Sequence, residues 1–368
     1  MKIAILVTHL LGTGHLVRAI ALARAIKAFG DEPIVLSGGF PTPHLANDTI
    51  PFVQLPPVRS NGVDFRTLLT DGGAVANATL WEARKDILAK TLAKYAPDIL
   101  ITELWPFGRR SLGAEFLYAL ALASPAKIVC SIRDILSSPS TDEKRRATEK
   151  IIHDRFEAVF VHSDPRITPL EMSWPVSETL AKKLIYTGFI TPQLNEEGEY
   201  KRTNDVLVAA GGGPVGEELF LAALQAAPAV PQLNWRLLVG GGDARIRHLS
   251  AHIVSANATV EPPRRDYRKW LRVAACSVSQ AGYNTALDVI QAKTPAVFAP
   301  FEDGGETEQR LRAEALKKNI GALVLSKSDL SGASLASAVR AAVERAPLHD
   351  FTAKLDGAPE TARLLRSL

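Results

Sequence analysis

The chain has 368 residues, 46% of them hydrophobic, and a formal net charge of +4 at pH 7. That length and apolar content suit two globular α/β domains with substantial cores. Basic and acidic residues are interspersed, so a nucleic-acid partner is not expected. The two cysteines, Cys130 and Cys276, sit in separate apolar runs, which argues for a reducing compartment without a disulfide framework or a zinc site. No apolar run approaches the roughly 18 to 20 residues that cross a bilayer. The opening MKIAILVTHL, with one lysine and a very short apolar run, reads as a first strand and not as a signal peptide.

In chain order, Ile3 to Val7 reads as a buried strand, His9 to His15 (HLLGTGH) as a glycine turn, and Leu16 to Phe29 as a helix with apolar residues at helical spacing. Strand, glycine turn and helix together invite a dinucleotide site. However, Val17 occupies the third glycine's place, and the next strand, Ile34 to Leu36, runs into Ser37-Gly38-Gly39 where an acid would hold a ribose. Pro51 to Arg59 is a strand entering a loop, Trp81 to Tyr95 a helix, and Pro97 to Thr102 a strand that delivers Glu103 to its carboxyl end. Glu103 either pairs with an arginine or serves as a catalytic or acceptor-binding acid. Arg109 and Arg110 follow it, placed to bind the phosphate of an anionic acceptor or simply to solvate a loop. Lys127 to Ile132 is a strand ending at Arg133-Asp134, Asp142 to Phe156 a charged outer helix, and Ala158 to His162 another strand. A first domain over residues 1–190 and a polar linker over 191–204 are expected.

The second domain, residues 205–349, opens with a strand from Asp205 that runs into Gly211-Gly212-Gly213 and the helix Glu217 to Ala226, an arrangement able to cradle an anion on backbone amides. Trp235 to Val239 is a strand, and Pro263 and Arg264 lie on the loop after the next one. The stretch Ser277 to Gln309 then reads strand, turn, helix, strand, loop, helix. Its turn sets Gln280, Gly282, Tyr283, Asn284 and Thr285 at a strand's carboxyl end, where open α/β sheets bind ligands. A helix N-terminus there, with free N–H groups and a partial positive charge, suits a phosphate. Asp288, further along the helix, is placed to accept ribose hydroxyls, and Glu308-Gln309 to bind sugar hydroxyls. Phosphate on one loop and hydroxyls on the next suggest a nucleotide-sugar. Residues 350–368 are expected to form a terminal helix that returns to the first domain.

Ala281-Gly282, Asp288, the proline-flanked strand Pro295 to Pro300 and the loop ending in Glu308-Gln309 resemble the donor-binding region of glycosyltransferase family 28. The stretch THLLGTGHLVRA resembles the glycine loop of a bacterial branch of that family, where Gly-His-Leu-x-Arg is typical. Asp288 and Glu308 depart from the family's best-known member, which carries Glu and Gln there. The resemblance implies a GT-B fold: two doubly wound Rossmann-like domains facing a cleft, with the donor on the second domain. It also implies an inverting transfer from a nucleoside-diphosphate sugar, UDP-linked (UDP-N-acetylglucosamine, for example), to an acceptor hydroxyl.

The glycine loop and the 282–285 turn offset the diphosphate charge, so neither a metal nor another cofactor is expected. The nucleotide-sugar is a co-substrate. Arg133 and Asp134 fall where the family places residues near the acceptor, as do Thr13 and Gly14 of the first glycine loop. The base is one of His15, Glu103 and Asp134; His15, with an ordinary pKa near neutrality, needs the least tuning. The acceptor is a sugar, a lipid-linked sugar or a polysaccharide. A cell-envelope role would make the enzyme cytoplasmic, with peripheral contact at the inner membrane face as an option. Two other readings stay open: a nucleotide-sugar hydrolase or epimerase on the same fold, and a non-catalytic nucleotide-sugar-binding protein.

Overall fold

The computed structural model describes residues 1–42, 45, 49–61, 66–192, 201–211, 215–303, 306–345 and 352–368. The chain divides into two compact units, Met1–Pro192 with Lys354–Leu368, and Gln193–Ala353. Each is a parallel sheet flanked by helices.

The first unit contains β1 (Lys2–Val7), α1 (Gly14–Ala28), β2 (Glu32–Ser37), β3 (Phe52–Gln54), α2 (Ala78–Tyr95), β4 (Ile99–Glu103), α3 (Gly113–Ala123), β5 (Lys127–Arg133), α4 (Asp142–Arg155), β6 (Ala158–His162), α5 (Glu178–Ala181) and β7 (Leu184–Tyr186). The sheet order is β3-β2-β1-β4-β5-β6-β7, and every pairing is parallel. The strands are near-continuous apolar runs because both faces of a parallel sheet are covered. On β1, Ile3, Ile5 and Val7 face the layer holding α1, while Ala4 and Leu6 face the opposite layer with Leu88, Leu92 and Phe116.

The final helix, α12 (Gly357–Leu365), belongs to this unit. Its Ala362 and Leu365 bury against the α1 layer. Its approach is anchored at Gly188, whose φ of +91° suits glycine and where an added Cβ would come within 2.9 Å of the Lys354 carbonyl. Phe189 N–H donates to that carbonyl at 2.8 Å, and Gly357 N–H donates to the Phe189 carbonyl at 3.0 Å.

One buried ion pair here has no signal in the local sequence pattern. Arg84 on α2 is wholly buried and bidentate on Glu115 of α3, at 2.5 and 2.7 Å. It also donates to the carbonyls of Gly38 and Pro56. A side chain at position 38 would run into the Arg84 guanidinium. Gly38 therefore serves packing, which explains why no ribose-binding acid stands at the end of β2.

The second unit contains β8 (Asp205–Ala209), α6 (Glu217–Ala226), β9 (Asn234–Leu238), α7 (Asp243–Ser250), β10 (Ala258–Glu261), α8 (Tyr267–Val273), β11 (Cys276–Ser279), α9 (Tyr283–Ala292), β12 (Ala296–Phe298), α10 (Glu308–Ile320), β13 (Leu323–Val324) and α11 (Gly332–Glu344). Its order is β10-β9-β8-β11-β12-β13, again parallel throughout. Both sheets are doubly wound. The chain proceeds outward in one direction, returns to the middle and proceeds outward in the other. The reversal falls between β1 and β4 in the first unit and between β8 and β11 in the second. At such a switch point the loops leave in opposite directions and open a crevice at the strands' carboxyl ends.

Side chains cap some helices: Asn77 accepts from Leu80 N–H before α2, Thr141 from Lys144 N–H before α4, and Ser331 with Ser334 forms a capping box on α11. The helices that start from the switch points, α1 after Thr13, α6 after Gly216 and α9 after Gly282, have no side-chain cap, as is also true of α3, α7, α8, α10 and α12.

Candidate active site

At the first unit's switch point, β1 leads through the glycine turn into α1, which carries His15 and Arg18 on its first turns, while β4 ends at Glu103. The parallel pairing of β1 with β4 brings these together although 88 residues separate His15 from Glu103. His15 Nδ1 lies 2.9 Å from Glu103 Oε1, and the Arg18 guanidinium donates to the same oxygen. Ser131, beside Glu103 on β5, donates from Oγ to Glu103 Oε2 at 2.6 Å. The carboxylate is 2% exposed.

Burial alone would raise the Glu103 pKa. The Arg18 charge, with the hydrogen bond and charge of His15, outweighs it and holds the carboxyl well below the usual range. Glu103 is therefore an ionised, acceptor-only group, and His15 Nδ1 must carry the proton between them. Arg18 also approaches Nδ1, at 3.0 Å, but two donors cannot bond each other, so that contact is a consequence of both groups sharing Glu103. Burial is the largest influence on His15 and lowers its pKa to about 3, with Glu103 opposing and Arg18 and Arg109 assisting. The imidazole is thus neutral at pH 7, with its lone pair on Nε2, which makes no hydrogen bond among the described residues. A neutral imidazole with a free Nε2 and a carboxylate behind Nδ1 is the arrangement of a general base.

Of the three candidate bases, the structure joins His15 and Glu103 into one group. Asp134 follows β5 and is completely buried. Arg109 is partly buried; burial lowers its pKa to about 10, and the charges of Glu103, Arg133 and Arg18 all act on it. Its Nε donates to the Thr8 carbonyl at 2.7 Å, which braces the end of β1. Arg110 is exposed, at the start of a short 3-10 turn. Gly14 is not part of the turn but the first residue of α1, and Thr13 is its N-cap. An added Cβ at Gly12 or Gly14 would meet nothing within 4 Å, so the fold's own packing does not demand glycine there.

The second unit's switch point lies between Gly211, which follows β8 with φ +83°, and Gln280-Ala281-Gly282, which follows β11. Gly212 and Gly213 lie outside the described residues. Gly282 has φ −61°, open to any residue, and a Cβ there would meet nothing within 4 Å. Neither conformation nor internal packing requires glycine there. Tyr283, Asn284 and Thr285 are the first turn of α9, which carries no acidic residue. This turn is held from below by Arg312 of α10, 3% exposed, which donates to the Ala281 carbonyl at 2.7 Å and lies 5.7 Å from the Tyr283 ring centre.

The neighbouring α6 N-terminus is less suited to an anion than its glycine loop suggests. Glu217 and Glu218 occupy its first turn and already complement the helix dipole. A cavity of about 320 Å³ opens beside it, lined among others by Gly216, Gln280, Pro300, Glu302, Asp303 and Lys327. Its mix of acidic and amide groups suits hydroxyls better than phosphate.

The remaining expected donor contacts are engaged within the protein. Asp288 is 8% exposed, and its Oδ1 lies 2.6 Å from an Arg268 nitrogen. Burial raises its pKa and Arg268 opposes that rise. Glu308 accepts from Arg312 at 2.9 Å, and Gln309 Oε1 accepts from Phe301 N–H at 3.2 Å, fixing the loop after β12. Pro263 is exposed, and Arg264 stacks 3.8 Å from the Trp270 ring centre while paired with Asp266 at 2.9 Å. Among the described residues, no three His, Cys, Asp or Glu side chains gather as a metal site, and no helix is long and apolar enough to cross a membrane.

Sequence reasoning missed Arg18, Ser131 and Arg312. Arg18 was within reach, as the arginine of the Gly-His-Leu-x-Arg pattern and one helical turn beyond His15. Ser131 and Arg312 carried no comparable signal.

Two doubly wound parallel-sheet domains of this kind define the GT-B fold, and the chain is glycosyltransferase family 28-like. Residues 237–356 match the glycosyltransferase family 28 C-terminal domain. The chain is 24% identical over 164 residues to the UDP-N-acetylglucosamine–N-acetylmuramyl-(pentapeptide) pyrophosphoryl-undecaprenol N-acetylglucosamine transferase of Exiguobacterium sp. (strain ATCC BAA-1283 / AT1b), covering 44% of this chain and 46% of that protein. It is 25% identical over 169 residues to the protein of the same name from Geobacter sulfurreducens, covering 44% of each. The match thus spans less than half the length of these curated relatives. In three dimensions the whole chain superposes on the whole of Acinetobacter baumannii MurG, with a TM-score of 0.66 at 17% identity. It also superposes on 99% of a UDP-glucosyltransferase from Polygonum tinctorium, with a TM-score of 0.64 at 14% identity and full coverage of this chain.

Proposed function

We propose that the protein is an inverting glycosyltransferase that needs no metal and moves a sugar from a nucleoside-diphosphate sugar, UDP-linked in the first instance, to an acceptor hydroxyl. One observation carries this reading: each unit has, at its own switch point, one half of what such a transfer requires. The first supplies a neutral histidine backed by a carboxylate. The second supplies an uncapped helix N-terminus behind a glycine that packing does not require.

In the proposed reaction the acceptor oxygen attacks the anomeric carbon from the face opposite the diphosphate. The bond to the diphosphate oxygen breaks, and the acceptor's proton passes to His15 Nε2. Glu103 stabilises the imidazolium that forms. The α9 amides from Tyr283 to Thr285 meet the charge that grows on the leaving diphosphate. Asp288 turns from Arg268 towards the ribose, or holds it with its second oxygen.

The curated relatives are named for a lipid-linked pyrophosphoryl acceptor, and Arg109, Arg110 and Arg133 are cations that would suit one. An acceptor of that class would place the enzyme on the cytoplasmic side, in contact with the membrane surface and serving the cell envelope. The test is a calorimetric screen of UDP-, GDP- and TDP-sugars, followed by turnover with lipid-linked, polysaccharide and small-glycoside acceptors. Transfer with inverted anomeric configuration is expected. Rapid, saturating sugar release to water without any acceptor would instead make it a hydrolase, and tight binding with no turnover on the whole panel a binding protein.

A further inference from the structure

Behind Glu103 lies a buried histidine that the reaction above does not use. His162, the last residue of β6, is wholly buried. Its Nε2 is 2.9 Å from Ser131 Oγ, and its Nδ1 is 2.8 Å from Thr187 Oγ1. Ser131 and Thr187 are each 1% exposed. Four residues thus follow one another from the end of β7 across β6 and β5 to the end of β4.

Counting protons fixes the direction of this row. Glu103 is ionised and only accepts, so the single Ser131 hydrogen points at it, along the 2.6 Å contact. Ser131 Oγ must then accept from His162, which places a hydrogen on His162 Nε2. Burial, with the Arg18 charge next, lowers the His162 pKa to about 3, so it holds one ring hydrogen only. Nδ1 is therefore a bare acceptor, and Thr187 donates its hydroxyl hydrogen to it in preference to the Gly188 carbonyl at 3.0 Å. Every polar atom in the row is satisfied in this one arrangement. The reverse arrangement leaves Ser131 with two acceptors and one hydrogen.

We propose that Ser131 and His162 are positioning residues: the chain Thr187 to His162 to Ser131 to Glu103 holds the carboxylate so that His15 keeps its proton on Nδ1 and presents Nε2 to the acceptor. This rests on the reading of His15 as the base. A histidine that merely filled the core would be replaceable by any residue of similar volume. One that orients Glu103 needs a donor at the Nε2 position. Glutamine places its amide near that position, whereas asparagine mimics Nδ1 and stops short of Ser131.

The experiment uses the full chain with His162→Gln, His162→Asn and Ser131→Ala. The first readout is the ring-nitrogen NMR of the 15N-histidine-labelled protein, which needs no substrate. The expectation is a neutral His162 with its proton on Nε2, a His15 with its proton on Nδ1, and a His15 Nδ1–H signal that shifts in the Asn and Ala variants but stays in the Gln variant. A proton on His162 Nδ1, or a His15 signal indifferent to all three changes, overturns the proposal. The second readout is UDP release from UDP-N-acetylglucosamine in the presence of an acceptor that the panel above shows to be glycosylated. Turnover is expected to fall about tenfold to a hundredfold in the Asn and Ala variants, as when an outer partner of a metal-bound histidine is lost. Donor affinity should be unchanged, and the Gln variant should stay within about threefold of the parent. Equal losses in Gln and Asn, tracking their melting temperatures, would reduce His162 to a core residue. If the unaltered protein turned over no donor with any acceptor of the panel, the transferase reading would fail, while the NMR readout would still decide the hydrogen-bond chain.

Discussion

Replacing Glu103 with glutamine keeps the shape of the side chain and removes its charge, so it probes the centre of the first unit directly. In the parent protein three donors converge on the carboxylate: His15 Nδ1–H, the Arg18 guanidinium and Ser131 Oγ–H. An amide has one acceptor oxygen and brings two hydrogens of its own, so one of these donors must face an N–H. Arg18, 6% exposed, then loses its counter-charge in a buried setting. Removing one partner of a buried pair costs about 3–5 kcal/mol, and the amide oxygen, still an acceptor, puts the variant at the lower end of that range. Chemistry should suffer more. Without the carboxylate the imidazolium is no longer stabilised beside Arg18 and Arg109, and turnover should fall about 10²–10⁴-fold. Donor affinity should hold, because the donor contacts proposed above belong to the other unit. The acid limb of stability changes too. Glu103 is held below its ordinary pKa of 4.5, so its contribution is present above pH 4.5 and lost as pH falls below it; the variant should lack that loss. Urea unfolding at pH 7 and at pH 4, with UDP release and calorimetry on the same preparation, measures all three. Turnover within threefold of the parent at unchanged stability would refute the paired-base reasoning and leave Glu103 a bystander.

His15→Ala should lower turnover by about 10²–10⁴-fold with donor affinity unchanged; near-parental turnover at saturating substrates would end its role as base. Asp288→Ala should weaken nucleotide-sugar binding by roughly 1–3 kcal/mol through loss of a charged acceptor for the ribose, and calorimetry on a folded variant decides it. EDTA should leave turnover intact, since backbone amides at α9 supply the positive field; activity lost to EDTA and restored only by magnesium or manganese would contradict this. His15 and His162 are both lowered to about 3 from 6.5, so the unfolded chain binds protons that the folded one refuses between those values. Stability should therefore decline as pH falls from 6.5 towards 3, by up to about 1.4 kcal/mol per pH unit for each histidine. A urea midpoint that is flat over that range would show that these imidazoles are not neutral and buried.

The strands were readable because a parallel strand covered on both faces is a short unbroken apolar run, as in Ile3 to Val7 and Pro97 to Thr102. The turn at Gly282 was readable because it stands between such a run and an amphipathic helix. By contrast, α3, with the sequence GAEFLYALALA, is apolar nearly all round and shows no helical period against its neighbours. α7 and α8 are 8 and 7 residues long, too short for a periodic pattern to emerge. His15 was visible at the end of the glycine turn and Glu103 at a strand's carboxyl end. That they form one group could not be seen locally, because it depends on β4 returning to lie beside β1. Ser131 and His162 were silent for the opposite reason. A serine and a histidine in a buried strand look like ordinary core positions, and their meaning lies in the order of β4, β5 and β6 across the sheet.

The two units apply one topological device to different electrostatic ends. In the second, the switch point presents a helix dipole with no acid in the first turn of α9, an arrangement that suits a phosphate. The first does something that binding alone would not require. It buries a carboxylate, an arginine and a histidine together, although a buried ionic group is no more stabilising than apolar residues of the same volume and often less so. It also spends Ser131, His162 and Thr187 on holding that carboxylate. A fold under no demand but stability would gain by filling the space with leucine. The cluster makes sense if a proton must be accepted there, because the same burial that keeps His15 neutral leaves its Nε2 lone pair available, and the same carboxylate that keeps Nδ1 protonated receives the positive charge once a proton arrives.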